Sequence, residues 1–193
     1  MLTELEHYIH AYFPLSKEEL VEITKYFHPV QLEKGEYFVK RDRYCDKLGF
    51  VRSGYMREHF ELGDKEVTKW ISSKGYFTVD LSAFLFRQPA RWNIQAITDC
   101  ELFVIDYSDY KNIAHVVPKW QELEKLFIAK CFAVMEERIV QHLAMTAEQR
   151  YQLWFETNKP LFQDVPLQYI ASMLGMTPET FSRIRKKTLE KSS

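Results

Sequence analysis

Three cysteines, six glycines and no long apolar run set the first limits on this 193-residue chain. Cys45, Cys100 and Cys131 are odd in number and far apart, with no C-x-x-C pair among them. That excludes a disulfide framework and a four-cysteine zinc site, and it suits a reducing cytoplasm. No apolar stretch approaches the roughly 20 residues that span a bilayer. The N-terminus, Met1-Leu2-Thr3-Glu4, lacks the basic and apolar regions of a signal peptide. A soluble cytoplasmic protein with no membrane partner is expected. Neither sign of charge dominates: the net charge is −1, so binding to nucleic acid would need positive charge gathered in one place. No G-x-S-x-G, P-loop or G-x-G-x-x-G occurs and no nucleophile–base set is visible, so no enzyme is expected. There is no internal repeat and no low-complexity segment.

What is present is apolar surface. Hydrophobic residues make up 46% and aromatics 15%, enough for a real core. Ser16-Lys17-Glu18-Glu19 fits a capping box, and Leu20, Ile23 and Phe27 follow at helical spacing. Pro14 separates this helix from a shorter one over about Thr3–Tyr12, and Pro29 is expected to mark its end. From Val30 to Asp106 the pattern changes to strands, notably Leu48–Ser53, Tyr55–Leu62, Glu66–Ser72 and Leu102–Asp106. Turn signals at Lys34-Gly35, Ser53-Gly54, Gly63-Asp64 and Lys74-Gly75 punctuate them. Short strands with frequent turns predict a sandwich, jelly roll or small barrel. Asp80–Phe86 reads as a short helix.

After Pro118 a long helix is expected through about Met145. Ile128, Phe132, Met135, Ile139 and His142 form one stripe, and Leu123, Phe127, Cys131 and Val134 an adjoining one. Two stripes suggest one face on the helix's own domain and another on a second copy, a homodimer. Some 25 residues at 1.5 Å each reach about 37 Å. Thr146-Ala147-Glu148-Gln149 is another capping box, starting a helix that Asn158 and Pro160 end. The reading therefore divides the chain into residues 1–117, a connecting helix 118–145, and a small helical unit 146–193.

The segment Pro166–Lys187, PLQYIASMLGMTPETFSRIRKK, carries the function. Pro166 suits a helix start, where no N–H is needed. Ile170 and Leu174 face inward, and small Ala171 admits a second helix. Gly175 can take the positive φ of a tight exit. Met176 fills the turn, Thr177 caps the next helix and Pro178 is preorganised after it. Phe181 and Ile184 make that helix's buried side. Its outer side carries Glu179, Thr180, Ser182, Arg183, Lys186 and Lys187, the residue types of a recognition helix in a major groove. From Thr177 to Ser193 five cationic residues face two anionic ones, a local excess of three positive charges. Arg183 can pair bidentately with guanine and Glu179 can accept from cytosine, whereas Thr177, Thr180, Lys186 and Lys187 suit phosphates.

With these residues in view, the sequence resembles the Crp/Fnr family of bacterial regulators over nearly its whole length. The resemblance implies an α+β protein: an N-terminal double-stranded β-helix or jelly roll with flanking helices, a long dimerisation helix and a small winged helix-turn-helix. It implies that Glu179 and Arg183 read bases, that Thr180 contacts the backbone, and that any wing comes mainly from Leu161–Val165. Pro178 stands where many relatives have a basic residue, so one family contact is absent. It further implies binding of double-stranded DNA as a homodimer, contact with RNA polymerase if the protein activates, and a signal in the β-roll that shifts the long helices.

Relatives that bind cyclic nucleotides carry Gly-Glu and then Arg-Ser or Arg-Thr. Here Gly75 is followed by Tyr76, and the Arg-Ser positions hold Ala90 and Arg91. Cyclic AMP is therefore not expected to bind. Tyr76, Arg87 and Arg91 remain as a candidate pocket for another small effector, if there is one. Ungrouped cysteines argue against an iron–sulfur cluster. His7, His10, His28, His59, His115 and His142 show no pattern that selects a haem ligand. No cofactor and no metal is expected, and a lone His59 in the strand region gives a cupin-like metal centre too few ligands. The alternative is a ligand-sensing or protein-interaction β-roll module without specific DNA binding.

Overall fold

The computed structural model describes residues 2–191. The chain opens with α1 (Glu4–Tyr12) and α2 (Lys17–Thr24). Each starts on a reciprocal capping box, Thr3 with Glu6 and Ser16 with Glu19. Leu5 and Ile9 of α1, and Leu20 and Ile23 of α2, are buried in the main core. The second helix ends at Thr24, before the expected stop, and Pro29 lies inside β1 (His28–Leu32). β1 is an edge strand, where a missing N–H costs no ladder bond.

The strands that follow are β2 (Tyr37–Val39), β3 (Lys47–Ser53), β4 (Met56–Leu62), β5 (Lys65–Ser72) and β6 (Phe77–Thr78). Helix α3 (Leu81–Phe86) interrupts them before β7 (Asn93–Ala96) and β8 (Cys100–Asp106). They form two antiparallel four-stranded sheets in the orders β1-β8-β3-β6 and β2-β7-β4-β5. Phe38, Phe50, Val51, Met56, Ile94, Leu102 and Val104 are buried in their common core, and β3 and β4 are each buried over four consecutive residues, so both of their faces are covered there. Gly54 (φ +83°) turns β3 into β4 so tightly that a Cβ would lie 2.3 Å from the Asp99 carbonyl oxygen.

Helix α4 (Tyr107–Val116) follows β8 directly, in the stretch between Asp106 and Pro118 for which the sequence reading names no element. It buries Tyr110 and Ile113, three residues apart. The long helix α5 (Trp120–Ala144) then leaves the roll. Its first turns are buried through Trp120, Leu123 and Phe127. Phe13 lies 4.7 Å from the Trp120 ring and 5.0 Å from that of Phe127. From Ile128 onward the helix surface carries exposed Phe132, Ile139, Val140 and Leu143, with Ile128, Val134 and Met135 less open. One predicted stripe thus meets the roll over its first half, and the other is uncovered in a single copy.

The last elements are α6 (Ala147–Thr157), α7 (Leu161–Asp164), α8 (Leu167–Met173) and α9 (Pro178–Lys191). A second core joins Tyr151, Phe162, Val165, Ile170, Met173, Phe181 and Ile184, and it includes Ile71 and Ile97 from the roll. The wing expected from Leu161–Val165 is not a strand. Pro160 has helical dihedrals, and N–H groups from Leu161 to Val165 bond back to carbonyls three or four residues earlier, closing a helical turn. Among the described residues no strand lies beyond Asp106.

Candidate nucleic-acid interface

The turn between α8 and α9 is built as its residue types require. Ile170 and Ala171 are fully buried. Gly175 has φ +69°, and the Met176 N–H returns to the Ala171 carbonyl at 2.9 Å. A Cβ on Gly175 would also crowd the His142 ring at 3.3 Å. Met176 is buried under the turn. The Thr177 hydroxyl accepts the Thr180 N–H at 3.2 Å, so this threonine caps α9. Phe181 packs between Tyr151 and Phe162, with ring centres 5.3 and 6.0 Å away.

The other side of α9 meets solvent. Thr177, Glu179, Ser182, Arg183, Lys186 and Lys187 are exposed, and Thr180 is half-buried. Glu179 sits at the helix start, where its own backbone N–H and the Thr177 hydroxyl hold its carboxyl below the usual range. Three predicted phosphate ligands have internal partners. Thr177 donates its hydroxyl proton to Thr180 Oγ1 at 3.2 Å, and Lys187 pairs with Glu148 of α6 at 2.8 Å. An exposed pair of this kind contributes ~0–1 kcal/mol, so phosphate can displace it.

The candidate effector residues take separate partners. Tyr76 faces Trp70, with ring centres 6.4 Å apart. Arg87, left-handed at the end of α3, donates to the Cys45 carbonyl and lies 4.1 Å over the Tyr107 ring. Arg91 lies 5.3 Å from the Trp92 ring, and its backbone N–H goes to buried Asp80. Ala90, at a family phosphate position, is buried. Among the described residues no group of three or more His, Cys, Asp and Glu side chains could hold a metal ion. Burial pushes the Cys45 thiol up to about 11.

The helical unit is also docked on the roll, through residues that sequence reasoning did not single out. The Arg57 guanidinium lies 3.8 Å over the Tyr169 ring of α8. Ser172 of α8 accepts the Thr68 N–H of β5 at 2.9 Å, and Tyr55 donates to Asp164 at 2.9 Å. Arg150 of α6 donates to the Leu174 and Met145 carbonyls. Arg138 of α5 donates to the Lys69 and Met173 carbonyls. A sequence signal existed only for Arg138, an arginine on the stripe of Phe127, Cys131 and Val134.

The family model described as cyclic nucleotide-binding domain matches residues 29–115, which cover β1 to most of α4. Solved structures extend the likeness past that domain. FixK2 from Bradyrhizobium japonicum aligns with a TM-score of 0.73 at 18% identity, covering 86% of this chain and 86% of its own. The catabolite activator protein of Thermus thermophilus aligns at 0.58 and 21% identity, over 98% of this chain and 88% of its own. Cyclic-AMP-bound PfPKA-R matches at 0.53 and 19% identity, over 57% of this chain, which spans only 40% of that one. At these identities the likeness is one of fold, and FixK2 and the catabolite activator protein are Crp/Fnr-type regulators. A comparison with curated protein sequences returns no match. Among the described residues no helix is long and apolar enough to cross a membrane.

Proposed function

We propose that this chain is a sequence-specific DNA-binding transcription regulator of the Crp/Fnr type, acting as a homodimer on a near-palindromic site. One observation carries the reading. In a chain of net charge −1, helix α9 buries Phe181 and Ile184 and turns Glu179, Arg183 and Lys186 to solvent. An internal packing hairpin has no need of that outer face.

In this reading residues 1–117 sense, 118–145 pair the subunits and 146–193 bind DNA. Arg183 takes guanine O6 and N7, Glu179 takes cytosine N4, and Thr177, Thr180, Ser182, Lys186 and Lys187 hold the backbone beside them. The two α9 helices enter successive major grooves about 34 Å apart. The exposed stripe Ile128, Phe132, Met135, Ile139 and Leu143 on α5 supports pairing through that helix. The effector is something other than cyclic AMP, or there is none, because the ribose acceptor and the phosphate-binding arginine are missing from their positions. RNA polymerase is a partner if the protein activates.

The test is selection of duplexes from a random library, followed by Arg183→Ala. Wild type should enrich an inverted repeat. The variant should keep its fold and lose about 1–3 kcal/mol of discrimination at one base pair per half-site. Equal binding of random DNA by both proteins would remove α9 as a specific reader.

A further inference from the structure

The joint between roll and helical unit contains a charge that no carboxylate neutralises. Arg138 projects from the last third of α5 into a largely buried position, and burial pulls its pKa below the ordinary guanidinium value. Among the described residues it makes no ion pair. Glu58, whose field reaches it, is committed to Lys69 at 2.6 Å. The guanidinium is held by carbonyl oxygens and a ring. Nη1 donates to the Lys69 carbonyl at 2.7 Å, Nη2 donates to the Met173 carbonyl at 3.2 Å, and the Trp70 ring centre is 4.8 Å away.

The two carbonyls belong to separate parts of the molecule. β5 is the outer strand of its sheet, so one of its edges has no strand beside it. At that strand the register slips: Glu58 faces Trp70 and His59 faces Thr68, which leaves the Lys69 backbone without a register partner on β4. The bulge is what frees the Lys69 carbonyl for a side chain. The neighbouring Thr68 N–H is taken by Ser172 of α8. Met173 ends α8, the first helix of the α8–α9 hairpin, where orphan carbonyls favour a cation.

We propose that Arg138 is a positioning residue of the DNA-reading head. One guanidinium ties the end of α8 to both α5 and the β5 bulge. The head cannot swing on the long helix without giving up a charged hydrogen bond to one carbonyl or the other. The proposal rests on the reading of α9 as the DNA-contacting helix. It goes further by naming what sets the direction of that helix relative to the subunit axis. A lysine cannot substitute, because a compact ammonium lacks the planar fork that reaches two separated acceptors.

Full-length wild type, Arg138→Ala and Arg138→Lys are compared on duplexes that wild type selects from a random library. Each duplex is presented as the inverted repeat, as one half-site, and with the half-sites moved together or apart by one base pair. A head freed from the joint loses effective concentration for its second contact and keeps its first. Both variants should therefore bind the full repeat about tenfold or more weakly, bind the half-site within about threefold of wild type, and stop distinguishing the spacings. Equal losses on half-site and repeat, or unchanged spacing preference, would overturn the proposal. If wild type selects no sequence, the DNA reading fails and the joint is judged by hydrogen exchange. Arg138→Ala should then speed exchange at Thr68 and at Leu174–Met176 while β3 and β8 keep their protection. Unchanged exchange at those amides refutes the joint as well.

Discussion

Replacing Phe132 with glutamate should separate the subunits without unfolding them. Phe132 is 64% exposed in the single chain, and Ile139 (56%) and Leu143 (83%) continue the same stripe along α5. Fully burying a phenylalanine contributes roughly 1.5–3 kcal/mol, so covering that exposed fraction yields about 1–2 kcal/mol per copy. A twofold axis uses the residue twice, which makes the loss about 2–4 kcal/mol on pairing. The dissociation constant should then rise roughly 30- to 1000-fold. Two carboxylates brought to the same seam push it towards the upper end. Sedimentation velocity across a dilution series reads this directly: wild type should sediment as a dimer at concentrations where Phe132→Glu is monomeric. Urea unfolding of the monomeric variant should still show a cooperative transition, since the side chain touches little within its own subunit. A variant that stays dimeric at wild-type concentrations would refute pairing through this stripe. So would a wild type that is monomeric at tens of micromolar.

Two further outcomes follow from the packing. Phe181→Ala removes the buried side of α9 from the cluster with Tyr151 and Phe162 and should destabilise the helical unit by about 3–5 kcal/mol, seen as an earlier urea transition. Unchanged unfolding would mean that α9 does not pack by this face. His59 is buried on β4 with neither ring nitrogen hydrogen-bonded, facing the charges of Arg57, Glu66 and Glu61 and the side chain of Gln95. Burial first, and then Arg57, lower its pKa from the ordinary 6.5, so the folded protein resists its protonation. Stability should be complete above pH 6.5 and should decline below it by at most ~1.4 kcal/mol per unit, until the folded pKa is reached. Urea midpoints between pH 7.5 and 5 measure this above the carboxylate range, and His59→Gln should flatten the curve. A slope that survives the substitution would assign it to another group.

The parts of the fold legible in the sequence are those written in short-range chemistry. Ser16 with Glu19 and Thr146 with Gln149 start their helices as the capping pattern requires, because both partners lie within one turn. The turn at Gly175 and the cap at Thr177 follow for the same reason. Of the two features that misled, one is also local. Pro29 reads as a helix stop, and its tolerance in β1 depends on that strand having no neighbour on one side. The wing at Leu161–Val165 is implied by the family resemblance alone, and here Pro160 takes helical dihedrals and a helical turn follows it. The outer face of α9 could be predicted because alternation with Phe181 and Ile184 fixes which residues point away. The docking face could not. Arg57 meets Tyr169, and Thr68 meets Ser172, across more than a hundred residues, and no periodicity pairs such positions.

That docking face bears on how the head is held. An arginine buried at carbonyls is a poor source of stability, since its desolvation offsets most of what its hydrogen bonds return. Met or Leu at position 138 would pack the stripe of Phe127 and Val134 at least as well. What apolar residues cannot do is specify a direction, because dispersion contacts tolerate sliding and rotation that a two-carbonyl fork does not. The same distinction separates Arg57 from a simple packing residue. Its Nε is bonded to Thr68, its Nη1 to Glu66, and its face lies on Tyr169, so three contacts, two from β5 and one from α8, fix its plane. Two planar cations, one on the long helix and one on β4, thus meet α8 at Met173 and Tyr169, and the Ser172 hydroxyl held by the Thr68 N–H adds the third point that stops rotation about the line between them. The orientation of α9 is therefore set by the roll and the long helix together, and not by α5 alone.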